Sequence, residues 1–105
     1  MSRLETLLQF HKEDPSDAFT LYAIAMEYEK TDIPQALIFY EILLSLHPDY
    51  TGTYFHAARL YASLNQREKA IAIYQKGLEI TKRLGESKNF QELQGAYTNF
   101  LYEEN

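Results

Sequence analysis

The residues best suited to chemistry lie in one fifteen-residue stretch, HPDYTGTYFHAARLY, which runs from His47 to Tyr61. It holds two histidines, three tyrosines, an aspartate and an arginine. Imidazole and carboxylate groups are the usual general acids, general bases and metal ligands of proteins. The stretch is therefore consistent with a catalytic or metal site, or with a joint between two structural units.

The spacing of these residues argues against the chemical interpretation. His11, His47 and His56 have no mutual metal-ligand spacing, and there is no H-E-x-x-H motif. The absence of cysteine excludes disulfides, thiolate metal sites and cysteine nucleophiles. The four glycines stand apart, so there is no glycine-rich phosphate loop. We expect no catalytic residue, no metal and no cofactor, because no base, nucleophile and orienting residue converge.

Composition and charge limit the classes of partner. A chain of 105 residues with 46% hydrophobic and 24% charged residues is expected to fold as one domain. Its net charge of −5 argues against binding to a phosphate backbone. The one basic cluster, Lys82, Arg83 and Lys88, brackets a predicted helix end, where cations suit the helix dipole. We therefore expect no nucleic-acid partner.

Targeting signals and charge distribution lead to two further expectations. The N-terminal residues lack the apolar core of a signal peptide, and no apolar run reaches membrane-spanning length. We therefore expect a cytoplasmic protein without a membrane partner. Residues 1–52 hold nine acids and three bases, net −6, whereas residues 53–105 hold six acids and seven bases, net +1. This polarity fits either head-to-tail self-association or unevenly charged solvated faces.

Apolar residues recur at helical spacing along the whole chain, which predicts six helices and no strand. Start and stop signals separate them, and several helices begin at a capping residue or a proline. The first opens with Ser2-x-x-Glu5, the second with Asp14–Asp17 and the third with Asp32–Gln35. The fourth runs from about Thr51 to Leu64, the fifth to about Leu84 before Gly85, and Ser87 begins the sixth. Gly95 falls inside the sixth helix, where a glycine suggests the close approach of a backbone or ligand.

Two segments of the chain repeat one another at a spacing of about 34 residues. With a shift of 34, Ala36 aligns with Ala70, Tyr40 with Tyr74 and Leu44 with Leu78. With a shift of 35, the preceding helices match: Phe19 with Tyr54, Tyr22 with Ala57, Ala23 with Ala58 and Met26 with Tyr61. We expect the alanines to let paired helices approach closely and the aromatic residues to fill the space around each contact.

The repeated pattern resembles the tetratricopeptide repeat, W-x₂-L-G-x₂-Y…A-x₃-F…P. The first unit reads Phe19-x₂-Tyr22-Ala23-x₂-Met26…Ala36-x₃-Tyr40…Pro48; the second reads Tyr54-x₂-Ala57-Ala58-x₂-Tyr61…Ala70-x₃-Tyr74, with Lys82 in place of the proline. The sixth helix, with Phe90-x₂-Leu93-Gln94-x₂-Tyr97, is similar to the front half of a third unit. The whole chain resembles the small stand-alone tetratricopeptide proteins of bacteria.

The resemblance implies an all-α fold, a right-handed α–α superhelix of two helix hairpins flanked by an N-terminal and a C-terminal helix. The single domain, residues 1–105, would then comprise an N-terminal helix (1–14), repeat 1 (15–49), repeat 2 (50–84) and a C-terminal capping helix (86–104).

The resemblance also implies a function, because the first helix of each repeat in this family lines a concave groove that receives a peptide segment. The expected groove residues are Thr20, Ile24, Glu27, Tyr28, Phe55, His56, Arg59, Gln91 and Thr98. Phe55 beside Arg59 is the sharpest indication, because aromatic residues and arginine dominate binding hot spots; alternatively, Phe55 packs against a terminal helix and Arg59 pairs with an acid. The leading hypothesis is a non-catalytic adaptor for an unidentified protein or peptide. The alternative is a self-associating homo-oligomer with no separate ligand.

Overall fold

The computed structural model describes residues 1–103, and this part of the chain forms six α-helices and no strand. The helices are α1 (Arg3–Glu13), α2 (Ala18–Tyr28), α3 (Ile33–Leu46), α4 (Gly52–Ser63), α5 (Arg67–Leu84) and α6 (Ser87–Glu103). The predicted all-α class and the six predicted helices are confirmed.

The first three helices begin at side-chain caps that the sequence predicts. At α1 the Ser2 hydroxyl accepts from the Glu5 N–H at 3.1 Å, and the Glu5 carboxylate accepts from the Ser2 N–H at 3.0 Å. Asp17 caps α2 by accepting from the Thr20 N–H at 2.9 Å, and Asp32 caps α3 by accepting from the Gln35 N–H at 3.2 Å. Each cap satisfies a backbone N–H that has no partner within its helix.

A residue in the left-handed conformation follows α4, and another follows α5. Asn65 has a φ of 60° and Gly85 a φ of 71°. Lys82, which stands in place of the motif's proline, lets α5 continue to Leu84. The Glu86 N–H then donates to the Thr81 carbonyl at 2.9 Å, which closes the helix.

The chain divides into two compact units, the first of which comprises Met1–Tyr50. In this unit α1 and α3 both pack against α2. The Tyr40 hydroxyl of α3 donates to the carboxylate of Glu29, at the end of α2. Its fully buried side chains are Leu21, Ile24, Ala25, Ala36, Tyr40 and Leu43.

The second unit begins at Thr51, and in it α5 packs against both α4 and α6. The helices approach closely at Gly77 of α5, because a Cβ added there would lie 2.7 Å from the Tyr54 Cβ and 3.1 Å from Leu93 Cδ1. One turn farther along α5, the buried Thr81 hydroxyl donates to the Gly77 carbonyl at 2.8 Å. Tyr74 stacks on Tyr97 of α6 with ring centroids 5.4 Å apart. Gly95, in contrast, has nothing within 4 Å of an added Cβ.

The packing positions of the two repeats differ in burial. In the second repeat the four motif residues of α4, Tyr54, Ala57, Ala58 and Tyr61, are buried as predicted. In the first repeat Ala23 is buried, but Phe19 is 60% exposed and Met26 is 37% exposed. The prediction that these two residues are core residues is therefore wrong. In the first repeat the position equivalent to Gly77 is Leu43, which lies 34 residues earlier and is buried. Its side chain leaves no space like the one beside Gly77 that receives Tyr54.

Candidate interaction surface

An exposed stripe on α4, formed by Phe55, His56 and Arg59, contains three of the residues that the sequence singles out. Phe55 is 38% exposed, Arg59 is exposed one helical turn later, and the half-buried His56 lies beside them. The rings of Phe55 and His56 meet edge to face, with centroids 5.3 Å apart. The motif residues on the opposite side of α4 are buried, so the Phe55 ring and the Arg59 guanidinium lie together on its exposed side.

Arg59 also contributes to the electrostatics of α5. Burial raises the pKa of the Tyr74 hydroxyl, while the positive charge of Arg59 acts to lower this pKa and the negative charge of Glu103 acts to raise it. The guanidinium therefore stabilises negative charge in its neighbourhood, which is the property required to bind a carboxylate.

Gln91 and Thr98 are the predicted site residues on α6, and both are exposed. They are seven residues apart, which places them on one face of the helix two turns from each other. Gln91 also lines a surface pocket of about 300 Å³ around the turn that joins α5 to α6. The two side chains present an amide and a hydroxyl that can donate and accept hydrogen bonds.

The four predicted residues on α2 contribute to the first unit itself. Thr20 is buried, and its hydroxyl donates to Asp17 Oδ2 at 2.8 Å. Ile24 is fully buried, so it presents no surface to a partner. Tyr28 stacks on Phe39 with ring centroids 5.8 Å apart. The mostly buried Glu27 pairs with two bases: its carboxylate lies 3.2 Å from Arg3 Nε and 2.6 Å from Lys30 Nζ.

A pocket on α2 was not predicted from the sequence. We call it the α2 pocket; it has a volume of about 210 Å³ and is lined by Arg3, Phe19, Tyr22, Ala23, Met26, Glu27 and Lys30. The signal that points to it is the difference in size between Leu43 and Gly77 at equivalent positions of the two repeats. This difference accounts for the exposure of Phe19 and Met26 in the first repeat.

The three histidines each have a structural contact. The His11 ring meets Phe39 edge to face at 5.4 Å, the His47 ring contacts the Ser16 carbonyl, and His56 lies against Phe55. Within residues 1–103, no group of three or more His, Asp or Glu side chains is placed to hold a metal ion. None of the six helices described above combines the length and apolar character needed to cross a membrane.

Comparison with known proteins places this fold. No family model matches the sequence, and no curated protein is significantly similar to it. The solution structure of a tetratricopeptide repeat domain protein from Salinibacter ruber is 41% identical, covers 83% of this chain and 89% of its own, and has a TM-score of 0.77. The crystal structure of a tetratricopeptide repeat domain protein from the same organism is 40% identical, covers 80% of this chain and 96% of its own, and has a TM-score of 0.74.

A more distant likeness concerns the fold alone. The crystal structure of MamA is 20% identical, covers 96% of this chain and 66% of its own, and has a TM-score of 0.69. The identity and coverage of the Salinibacter ruber structures agree with the two motif units read from the sequence. The chain therefore belongs to the tetratricopeptide repeat family.

Proposed function

We propose that this protein is a non-catalytic adaptor that binds a protein or peptide segment along the exposed stripe of α4, in the groove that such first helices line in its family. Helical repeats of this family serve as protein-interaction modules in general. The observation that supports this particular surface is the exposure of Phe55 and Arg59 one turn apart on a helix whose other side is buried. The absence of cysteine and the bacterial origin of its similar structures support a bacterial, cytoplasmic setting for this role.

The chemistry of the stripe indicates the kind of segment that it binds. Covering the Phe55 ring removes apolar surface from water, which is favourable by about 25 cal/mol per Å². The Arg59 guanidinium forms its strongest contacts with carboxylates, which accept two parallel hydrogen bonds from it. Gln91 and Thr98 on α6 are available for hydrogen bonds to a peptide backbone. The ligand is thus a segment with an apolar side chain close to an acidic one.

A peptide array tests this proposal even though the partner is unidentified. The probe is an immobilised library of random twelve-residue peptides, incubated with the wild type, with Phe55→Ala and with Arg59→Ala. Lys76→Ala is the matched control, because Lys76 is an exposed α5 residue that forms a surface ion pair with Glu79 at 3.7 Å. We expect both α4 variants to bind the selected peptides at least about tenfold more weakly, and the control to bind as the wild type does. Equal binding by all four proteins would overturn the proposal.

The second candidate function is self-association without a separate ligand. The observation that favours it is the exposure of Phe19 and Met26, which are core positions of the repeat motif and form an apolar surface on α2. Light scattering over a range of protein concentrations tests this candidate. A molecular mass that rises with concentration supports it, and a monomer at every concentration excludes it.

A further inference from the structure

The α2 pocket combines an apolar floor with a positively charged rim. Phe19, Tyr22, Ala23 and Met26 supply the apolar atoms, while the exposed bases Arg3 and Lys30 stand at its edge. The carboxylate of Glu27 lies between these two bases. Two cations around one anion leave the rim with a local charge of +1, although residues 1–52 as a whole carry −6.

The apolar surface continues beyond this pocket toward α1. Phe19 also lines a neighbouring pocket of about 510 Å³, together with the exposed Met1 and Phe10. Soluble monomers rarely expose a continuous apolar surface of several large side chains, and such a surface usually marks an interaction site. The two pockets therefore form a single candidate docking surface on the first unit.

The described end of α6 has the complementary chemistry. Tyr102 is 74% exposed, Glu103 is exposed beside it, and Leu101 is half-buried. Residues 89–105 contain three acids, Glu92, Glu103 and Glu104, and no base. This end of the helix thus presents an unburied aromatic ring in a segment that carries only negative charge.

We propose that the protein self-associates head to tail, with Leu101–Glu103 of one copy bound in the α2 pocket of the next. Tyr102 covers Phe19 and Met26, and Glu103 pairs with the Arg3 and Lys30 rim. This inference rests on the second candidate function, self-association, and involves neither Phe55 nor Arg59. Because the two surfaces differ, the contact is heterologous, and repeating it produces open chains unless the rotation closes a ring.

Charge complementarity selects this occupant. Screening limits the interaction of exposed charges to about 8 Å at physiological ionic strength, so the local +1 rim, and not the overall −6 of residues 1–52, governs what enters the pocket. The α6 end supplies an exposed aromatic ring with an adjacent carboxylate, and every copy of the chain carries it. Raising the salt concentration is expected to weaken the association, since charge pairing contributes to it.

Two single substitutions are chosen so that each impairs one of the two surfaces and keeps the fold. Phe19→Glu places a negative charge in the α2 pocket, and Tyr102→Lys removes the aromatic ring and adds a positive charge at the α6 end. Both residues are exposed. An acid suits the first turn of α2 and a base suits the last turn of α6, because each complements the helix dipole. Circular dichroism checks that both variants fold, and Lys76→Ala serves as the surface control.

Analytical ultracentrifugation of the full chain, alone and in mixtures, tests the proposal. We expect the wild type and Lys76→Ala to associate. Phe19→Glu alone and Tyr102→Lys alone should each associate at least about tenfold more weakly. An equimolar mixture of Phe19→Glu and Tyr102→Lys should associate at least to a one-to-one dimer, because the intact α6 end of the first fits the intact pocket of the second.

Two results would overturn the proposal and are distinguishable from each other. A wild type that stays monomeric at all concentrations would exclude self-association. A wild type that associates while the mixture of variants does not form a dimer would show that association uses other surfaces. Neither result bears on the α4 stripe, which the peptide array tests separately.

Discussion

Gly77 of α5 lies so close to Tyr54 of α4 that an added Cβ would come within 2.7 Å of the Tyr54 Cβ and 2.9 Å of its Cγ. The contact seats the buried side of α4 against α5, and the neighbouring residue in sequence, Phe55, consequently faces away from it. The exposure of the proposed binding stripe on α4 therefore depends on a glycine of α5, Gly77.

Replacing Gly77 with alanine should destabilise the protein, although alanine is the better helix former by about 1 kcal/mol. Both atoms that the new methyl group meets first are close to the backbone of Tyr54, so they cannot move aside easily. We expect the free energy of unfolding, measured by urea denaturation, to fall by about 1–3 kcal/mol.

Gly95→Ala is the matched control, since Gly95 is also helical but has open space around it. This variant should gain about 0.5–1 kcal/mol from the removal of a helical glycine. If Gly77→Ala stabilised the protein as much as Gly95→Ala does, the close contact between α4 and α5 would be contradicted.

The cap of α2 should make stability depend on pH in the acid range. Hydrogen bonds from the Thr20 hydroxyl and the Thr20 N–H lower the pKa of Asp17 below its ordinary value. The folded state therefore binds this proton more weakly than the unfolded state, and the stabilisation is present at neutral pH and lost as the pH falls below about 4. Asp17→Asn keeps a capping side chain that does not titrate, so its unfolding free energy should fall less over this range. Urea denaturation at several acid pH values measures this. An identical dependence of the unfolding free energy on pH in the two proteins would show that protonation of Asp17 does not affect stability.

Tyr74 should have the opposite effect in the alkaline range. Burial raises the pKa of its hydroxyl above 10.0, so the folded state keeps the proton that the unfolded state loses. The resulting stabilisation is present below about pH 10 and lost as the pH rises through the higher pKa of the folded state. Tyr74→Phe should lose less stability than the wild type between neutral pH and this range, because its side chain has no hydroxyl to ionise. Equal alkaline losses in the two proteins would be inconsistent with a buried Tyr74 hydroxyl.

Local signals in the sequence predict most of the fold. Ser2, Asp17 and Asp32 cap helices because a short polar side chain before an apolar repeat satisfies free N–H groups. Gly85 ends α5 because glycine adopts a positive φ without steric cost. The 34-residue register then pairs the helices, and the family follows from it. These features depend on neighbours within a few turns, or on one repeated spacing.

The candidate site was less predictable, because it depends on which faces other helices cover. Helical periodicity places Phe19 and Tyr54 at the same motif position, but only Tyr54 is buried. The distinction depends on Gly77 and its counterpart Leu43, which lie on different helices from the residues they affect. Ile24 illustrates the converse, because a residue that the sequence places in the exposed groove is fully buried.

The most direct test of the proposed function is an NMR titration of the uniformly ¹⁵N-labelled protein with the peptide that binds best on the array. The α4 stripe is the predicted contact surface, so the largest amide shift changes should fall on Phe55, His56 and Arg59, with smaller changes at Gln91 and Thr98. The exposed α5 residue Lys76 should not shift, and Phe55→Ala should abolish the changes along α4. Saturable changes confined to residues outside α4 and α6, unaltered by Phe55→Ala, would contradict the account.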